Sequence, residues 1–295
     1  MNLTILLILV AAIVPMAAVI VAVAVDRKRR KQTEQPPQQE KLLRPPGYSL
    51  AIRLDEIQDA VLTDMLVACA LCTIAGGSAS TLASLLGAHF ASLWTACALA
   101  IFAVFAVAGA LAALRTFRRF EEARNVRLGL RGEQAVAESL HEVADCGFRI
   151  FHDLPGGENW KIDHVAVGTR GVFLVETKAR RRRPSRNRQP EHVVIYDGKA
   201  LQFPSGDDTK AIPQAERNAR WLAEFLSKRT AETVTVQPLV VLPGWFVETK
   251  GNFPVKVMNA TYLAGYLRGQ GEKIESAQVR RIIAALDEKC RDVEF

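Results

Sequence analysis

Residues 66–114 contain no Asp, Glu, Lys or Arg. A charge-free run of 49 residues is too long for a core helix, which excludes a purely soluble protein. As one helix it would extend about 73 Å at 1.5 Å per residue, against a hydrocarbon core of about 30 Å. It reads instead as a hairpin of two spans, Leu66 to Leu86 and Ala91 to Leu114, with a turn near Gly87-Ala88-His89-Phe90. Cysteine is scarce and odd in number: five residues, three of them (Cys69, Cys72, Cys97) inside the apolar run. This excludes a disulfide-stapled secreted scaffold, and the Cys69/Cys72 spacing reads as apolar packing, not as a metal or redox site. The first apolar run, Leu3 to Val25, has no basic residue before it, and at 23 residues it exceeds the apolar region of a signal peptide. It therefore reads as a first membrane helix that tolerates Pro15.

Bases sit where these runs end. Arg27, Lys28, Arg29, Arg30 and Lys31 follow the first run; Arg115, Arg118, Arg119, Arg124 and Arg127 follow the last. The positive-inside rule then puts the N-terminus outside and everything after residue 115 in the cytoplasm. The expectation is an integral protein of the plasma or inner membrane. Residues 1–25 form the first transmembrane helix. Residues 26–64 form a basic, Pro- and Gln-rich cytoplasmic linker that leads into the second span past Asp64. Residues 65–114 form the helical hairpin, and residues 125–295 a soluble domain.

That last region alternates helical and strand patterns without internal repeats. Gly129 to Val143 carries Val136, Leu140 and Val143 at helical spacing. Phe148 to His152 reads as a short strand, and Asp153 to Trp160, with Pro155-Gly156-Gly157, as a turn. Lys161 to Val167 and Gly171 to Lys178 flank Thr169-Arg170 as a hairpin. Further strands are expected at Val193 to Tyr196, Val234 to Leu242 and Val255 to Met258. Helices are expected at Pro213 to Lys228, near Ala260 to Leu267, and at Ser276 to Cys290. The fold class is α/β: membrane helices followed by a domain with a central mixed sheet.

Four residues in this domain carry chemistry: Glu133, Asp163, Glu176 and Lys178. Glu176 and Lys178 lie two apart on a strand and share a face. If Thr169-Arg170 is a two-residue turn, Gly168 pairs with Gly171, and the same register sets Asp163 opposite Glu176. Directly opposed Cβ atoms lie about 4.5–5.5 Å apart. Two carboxylates that close need a cation or a proton between them. A hard divalent ion, Mg²⁺ or Mn²⁺, meets that need with oxygen ligands. Lys178 is then placed to hold a water beside it. The competing reading, an exposed strand face with a surface ion pair, sits poorly with the apolar Val165, Val172, Leu174 and Val175 around these charges.

The order of these segments is a helix opening Arg131-Gly132-Glu133, then Ile162-Asp163-His164, then Val175-Glu176-Thr177-Lys178, then a helix starting Pro213-Gln214. It resembles the NERD (nuclease-related domain) family of the PD-(D/E)xK nuclease superfamily over about residues 127–242. The resemblance implies a restriction-endonuclease-like fold and a metal-dependent phosphodiesterase acting on nucleic acid, DNA ahead of RNA. It implies Asp163 and Glu176 as the metal-binding pair. Lys178 matches the catalytic lysine, Glu133 the helix-borne carboxylate, and Gln214 the glutamine of the following helix. Asn218 and Trp221 follow Gln214 on one helical face, with Trp221 expected in the core and not as a base-stacking platform.

Arg180, Arg181, Arg182, Arg183, Arg186 and Arg188 follow the proposed active strand with no acid among them. They read as contacts to a nucleic-acid backbone or, in a membrane-tethered domain, to anionic headgroups. A non-catalytic nucleic-acid-binding or scaffold module on the same fold is the alternative function. Val247-Glu248-Thr249-Lys250 repeats Val175-Glu176-Thr177-Lys178 and reads as a loop, a coincidence of sequence. His152 and His164 read as hydrogen-bonded strand histidines near the site.

Overall fold

A computed structural model of the chain describes Val25 and residues 41–86, 92–157, 160–182 and 190–293. The expected first membrane helix up to residue 24, the expected hairpin turn, and Arg183, Arg186 and Arg188 lie outside the described residues. Two compact units emerge, Arg53–Asn125 and Val126–Phe295, the second joined by Pro37–Ile52.

Helices α1 (Tyr48–Leu86) and α2 (Ser92–His141) supply the first unit. They run antiparallel: Arg119 bonds Asp64 at 2.8 Å and the Ala60 carbonyl at 2.7 Å, and Arg53 bonds Glu122 at 2.8 Å. By length and composition the stretches Tyr48–Gly77 and Leu99–His141 are long and apolar enough to cross a membrane. The expected separate helices, a span ending at Leu114 and an amphipathic helix from Gly129, are one helix in α2. Residues 115–128 contain no Gly or Pro to stop it, and an Arg124–Glu121 pair supports it one turn apart.

The second unit is built on a five-stranded mixed sheet of β2 (Arg149–Gly157), β3 (Trp160–Gly168), β4 (Gly171–Thr177), β8 (Val236–Val241) and β10 (Lys256–Met258), in the order β10-β8-β4-β3-β2. β2, β3 and β4 form an antiparallel meander, and β8 and β10 add in parallel. Thr169-Arg170 is the expected two-residue turn, and Gly168 pairs with Gly171. Helices α3 (Ala211–Thr230) and α5 (Ser276–Cys290) cover one face, where Leu222, Leu226, Ile282 and Leu286 meet Val165, Val172 and Leu174. The C-terminal turns of α2 and helix α4 (Ala260–Arg268) cover the other, through Val136, Leu140, Leu263 and Leu267 against Ala166, Phe173 and Val175. Both faces are buried, so β3 and β4 read as nearly unbroken apolar runs, and a charge on either stands out.

A second sheet, order β7-β6-β5-β9, joins β5 (Val193–Tyr196), β6 (Leu201–Phe203), β7 (Gly206–Asp208) and β9 (Phe246–Thr249). The tetrapeptide expected as a loop, Val247-Glu248-Thr249-Lys250, supplies most of β9, which pairs in parallel with β5. Its exposed position on a sheet edge removes the apolar signature by which a strand is recognised. The expected turn at Pro155-Gly156-Gly157 is also strand: β2 is an edge strand, where Pro removes no ladder bond, and its register shifts between Pro155 and Gly157. Of the segment expected as a linker, Leu42–Leu43 (β1) pairs with β11 (Arg291–Val293).

Candidate active site

The charged residues gather where β3 and β4 part. The β3–β4 ladder runs from Gly168↔Gly171 to His164↔Val175. One step on, the Asp163 carboxylate takes over as acceptor and receives the Thr177 backbone N–H at 2.8 Å. Glu176 follows Val175 on the central strand and is 2% exposed. Its two oxygens accept from helix α3: Oε1 from Asn218 Nδ2 at 2.5 Å, Oε2 from Gln214 Nε2 at 3.2 Å. The same Gln214 accepts from Lys178 Nζ at 3.1 Å. Lys178 is held from behind by its backbone N–H, which donates to the Val241 carbonyl at 2.9 Å. The four-residue spacing of Gln214 and Asn218 thus turns both amides toward one carboxylate. Pro213 stands in the first turn of α3, where its missing N–H breaks no helical bond.

Glu133 approaches from the other side of the sheet. Gly132 permits this: a Cβ there would lie 2.5 Å from Ala179 Cβ, so only glycine lets the helix close on the end of β4. Glu133 is bound by Lys161 Nζ at 2.8 and 2.9 Å. Lys161 also reaches Asp153 at 2.6 Å and Asp163 at 3.6 Å, so one ammonium serves three carboxylates. Asp153 is fully buried and sits at φ 51°. It further accepts from Arg44 at 3.1 Å and from the Ser49 hydroxyl and N–H. Arg44 binds Asp292 with two bonds of 2.7 and 2.5 Å. The segment between β1 and α1 is thereby tied to the charge cluster.

The electrostatics follow from this burial. Burial first and the Asp163 charge second push both Glu133 and Glu176 up to about 8. Burial also raises Asp163, against Lys161. Asp153 goes the other way: burial would raise it, but Lys161 and Ser49 outweigh that and hold it below its ordinary value. Without a bound cation, burial thus favours the protonated form of both Asp163 and Glu176. His152 and His164 are in contact through their Nδ1 atoms at 2.8 Å, and burial lowers both, His152 to about 4.

Glu133, Asp163, Glu176, Lys178 and Gln214 are therefore brought into one connected cluster. Lys161 and Asp153 were missed by sequence reasoning. Lys161 lies two residues before Asp163 and so shares its strand parity, which was a usable signal. Asp153 had none, because the strand carrying it was expected to end at His152. The described part of the arginine run folds onto the small sheet. Arg180 stacks 4.3 Å over Phe203, its carbonyl accepts from Trp245 Nε1 at 3.1 Å, and Arg182 donates to the Gly244 carbonyl.

Among the described residues no group of three or more His, Cys, Asp or Glu forms a metal-ligand set. The pair Asp163 and Glu176 fits a Mg²⁺-type ion by donor chemistry: hard oxygens, buried carboxyls whose ionised form a cation would favour, and two of them, the number such an ion takes when water and substrate phosphates complete its shell.

A mixed sheet covered on both faces carries acidic residues and a lysine at the parting ends of a buried hairpin, an α/β arrangement. The family model of the nuclease-related domain (NERD) matches residues 128–243, and this stretch of the chain is similar to that domain. No curated protein and no solved structure gives a match.

Proposed function

We infer that the chain is a membrane-anchored nuclease that hydrolyses phosphodiester bonds, DNA ahead of RNA, with Mg²⁺ or Mn²⁺ held by Asp163 and Glu176 and its nuclease domain in the cytoplasm. The observation that carries this reading is the convergence of Asp163, Glu176 and Lys178 at one buried strand end, each held by a specific partner. When bound, the ion supplies Lewis acidity toward the phosphate and a water of lowered pKa. Lys178 places its ammonium where the attacking water and the charge developing on the phosphate oxygens would be stabilised. Gln214 positions Lys178 and Glu176 together. Asn218 fixes Glu176. Glu133 acts through Lys161 and sets the field around Asp163.

The membrane reading is supported by the apolar surface of α2, where Leu99, Ile101, Val104, Val107, Leu111 and Leu114 are all exposed. A row of such residues on the charge-free stretch 92–114 of this helix is what a lipid environment covers. The cytoplasmic placement rests on the arginines that follow it.

The test incubates the full-length chain, in detergent micelles, with linear, circular and single-stranded DNA and with RNA. Each substrate is run with Mg²⁺, with Mn²⁺ and with chelator, beside Asp163→Ala. Metal-dependent cleavage that the variant lacks is the expected result. Nucleic-acid binding without cleavage under every condition would move the assignment to the binding module.

A further inference from the structure

A cavity of about 450 Å³ opens beside the proposed catalytic cluster, lined by Trp160, Lys161, Gln214, Arg217, Asn218 and Trp221. Half of this lining is the cluster itself: Gln214 and Asn218 are the amides that bind Glu176, and Lys161 is the ammonium between the carboxylates. The other half, two indoles and a guanidinium, has no part in that network.

Trp160 is set in place although it is 38% exposed. Its six-membered ring rests against Gly156, where a Cβ would come within 2.3 Å of it, so the glycine makes the shelf on which the indole lies. Trp221 meets it edge to face, ring centroids 4.9 Å apart. Trp221 is itself stacked on Phe225, and Lys289 stands over both rings. Contrary to the expectation from sequence, Trp221 is a half-buried wall of a cavity, its far side packed on the core.

We propose that this cavity receives one unstacked nucleobase of the substrate strand, next to the phosphate held at Glu176 and Lys178, so that the enzyme acts on single-stranded or locally opened nucleic acid. The proposal rests on the nuclease reading above. Indole walls accept any base, because every base has a π-face, and this stacking is a recurrent means of holding single strands. Arg217 adds positive charge for the attached phosphates. The volume lies within the range of small-molecule pockets. In an intact duplex the bases are stacked inside, so a pocket adjoining the phosphate site is reached only by a base that has left the stack.

The test measures binding, not cleavage. The full-length chain in detergent micelles is titrated with fluorescein-labelled oligonucleotides, in chelator and in parallel with Ca²⁺. The probes are a single strand, the same strand carrying abasic residues, and a blunt duplex. The single strand is expected to bind about tenfold more tightly than the duplex or the abasic strand, and to quench tryptophan fluorescence. Trp160→Ala is expected to remove that preference and leave duplex binding unchanged, while Trp160→Phe, which keeps a ring, retains it. Equal affinity for all three probes overturns the base pocket and leaves the nuclease reading standing on its cleavage test. Equal loss of single-strand and duplex binding in Trp160→Ala also overturns it. Binding of no probe in either buffer overturns the pocket and the nucleic-acid reading together.

Discussion

The chain uses the tetrapeptide Val-Glu-Thr-Lys twice, at residues 175–178 and 247–250, in both cases along a strand that pairs in parallel with a neighbour. In the first copy the strand is the centre of the large sheet, and Glu176 is buried between helix α3 and Asp163. In the second it is the edge of the small sheet, and Glu248 and Thr249 face solvent. Glu176 is pushed up to about 8 and is bound by two side-chain amides. The difference lies wholly outside the four residues. Asp163 on the adjoining strand, Gln214 and Asn218 one helical turn apart, and the cover of two layers convert a surface pattern into a charged site.

The comparison breaks most sharply at Lys161, which has no counterpart beside β9 among the described residues. Among the described residues, its ammonium is the only cation placed on Glu133, Asp153 and Asp163 together. Lys161→Met leaves three buried carboxylates facing one another without it. The expected cost is about 3–5 kcal/mol of stability, the usual penalty for removing one partner of a buried ion pair. Lys250→Met, at an exposed position, is expected to change stability by less than about 0.5 kcal/mol. Thermal unfolding followed by tryptophan fluorescence measures both. Equal effects would mean that the Lys161 contacts carry no net energy.

The two lysines of the repeated tetrapeptide sharpen the same contrast for activity. Lys178 is anchored by Gln214. Its replacement by Ala is expected to lower the cleavage rate about 10²–10³-fold, the typical loss when one preorganised donor to a transition state is removed. Lys250→Ala is expected to stay within about twofold of the parent. Single-turnover rates on one labelled substrate decide it, and a large loss in the second variant would give β9 a role in the site.

Much of this contrast is legible in the sequence, and the limits of legibility are physical. The β3–β4 hairpin follows from alternating strand parity and a two-residue turn, both local, and its register holds as far as His164–Val175, one pair short of the expected Asp163–Glu176 pair, where the strands part. Helix α3 is legible from its periodicity, and the spacing of Gln214 and Asn218 comes with it. The path of β2 through Pro155-Gly156-Gly157 is not, because an edge strand tolerates residues that signal a turn elsewhere. With it Asp153 was lost, and the Gly156 shelf under Trp160 went unread. The β9 strand was missed for the complementary reason: Phe246 and Glu248 alternate with nothing buried, so no hydrophobic pattern marks it. The role of Arg44 and Ser49 depends on contacts with Asp153 more than a hundred residues away, which no local pattern encodes.

Glu176 should also shape how stability follows pH, by an effect smaller at any one pH step. Without a divalent ion, Glu176 is raised from about 4.5 to about 8 by burial and by Asp163. A group raised on folding contributes stability that is fully present below its unfolded pKa and lost as pH rises through its folded one. Between about pH 4.5 and pH 8 the unfolded chain has released this proton and the folded chain retains it. Over that window the parent is expected to lose up to about 1.4 kcal/mol per pH unit relative to Glu176→Gln, whose amide has no proton to lose. Glu133 shifts in the same direction, so the double variant Glu133→Gln/Glu176→Gln is expected to flatten the profile further. Urea unfolding at pH 5, 6, 7 and 8 in chelator reads all three proteins. Parallel profiles for the parent and Glu176→Gln would mean that the carboxyl is ionised throughout, already neutralised by Lys161 and Lys178. The two copies of the tetrapeptide would then differ in packing alone and not in charge.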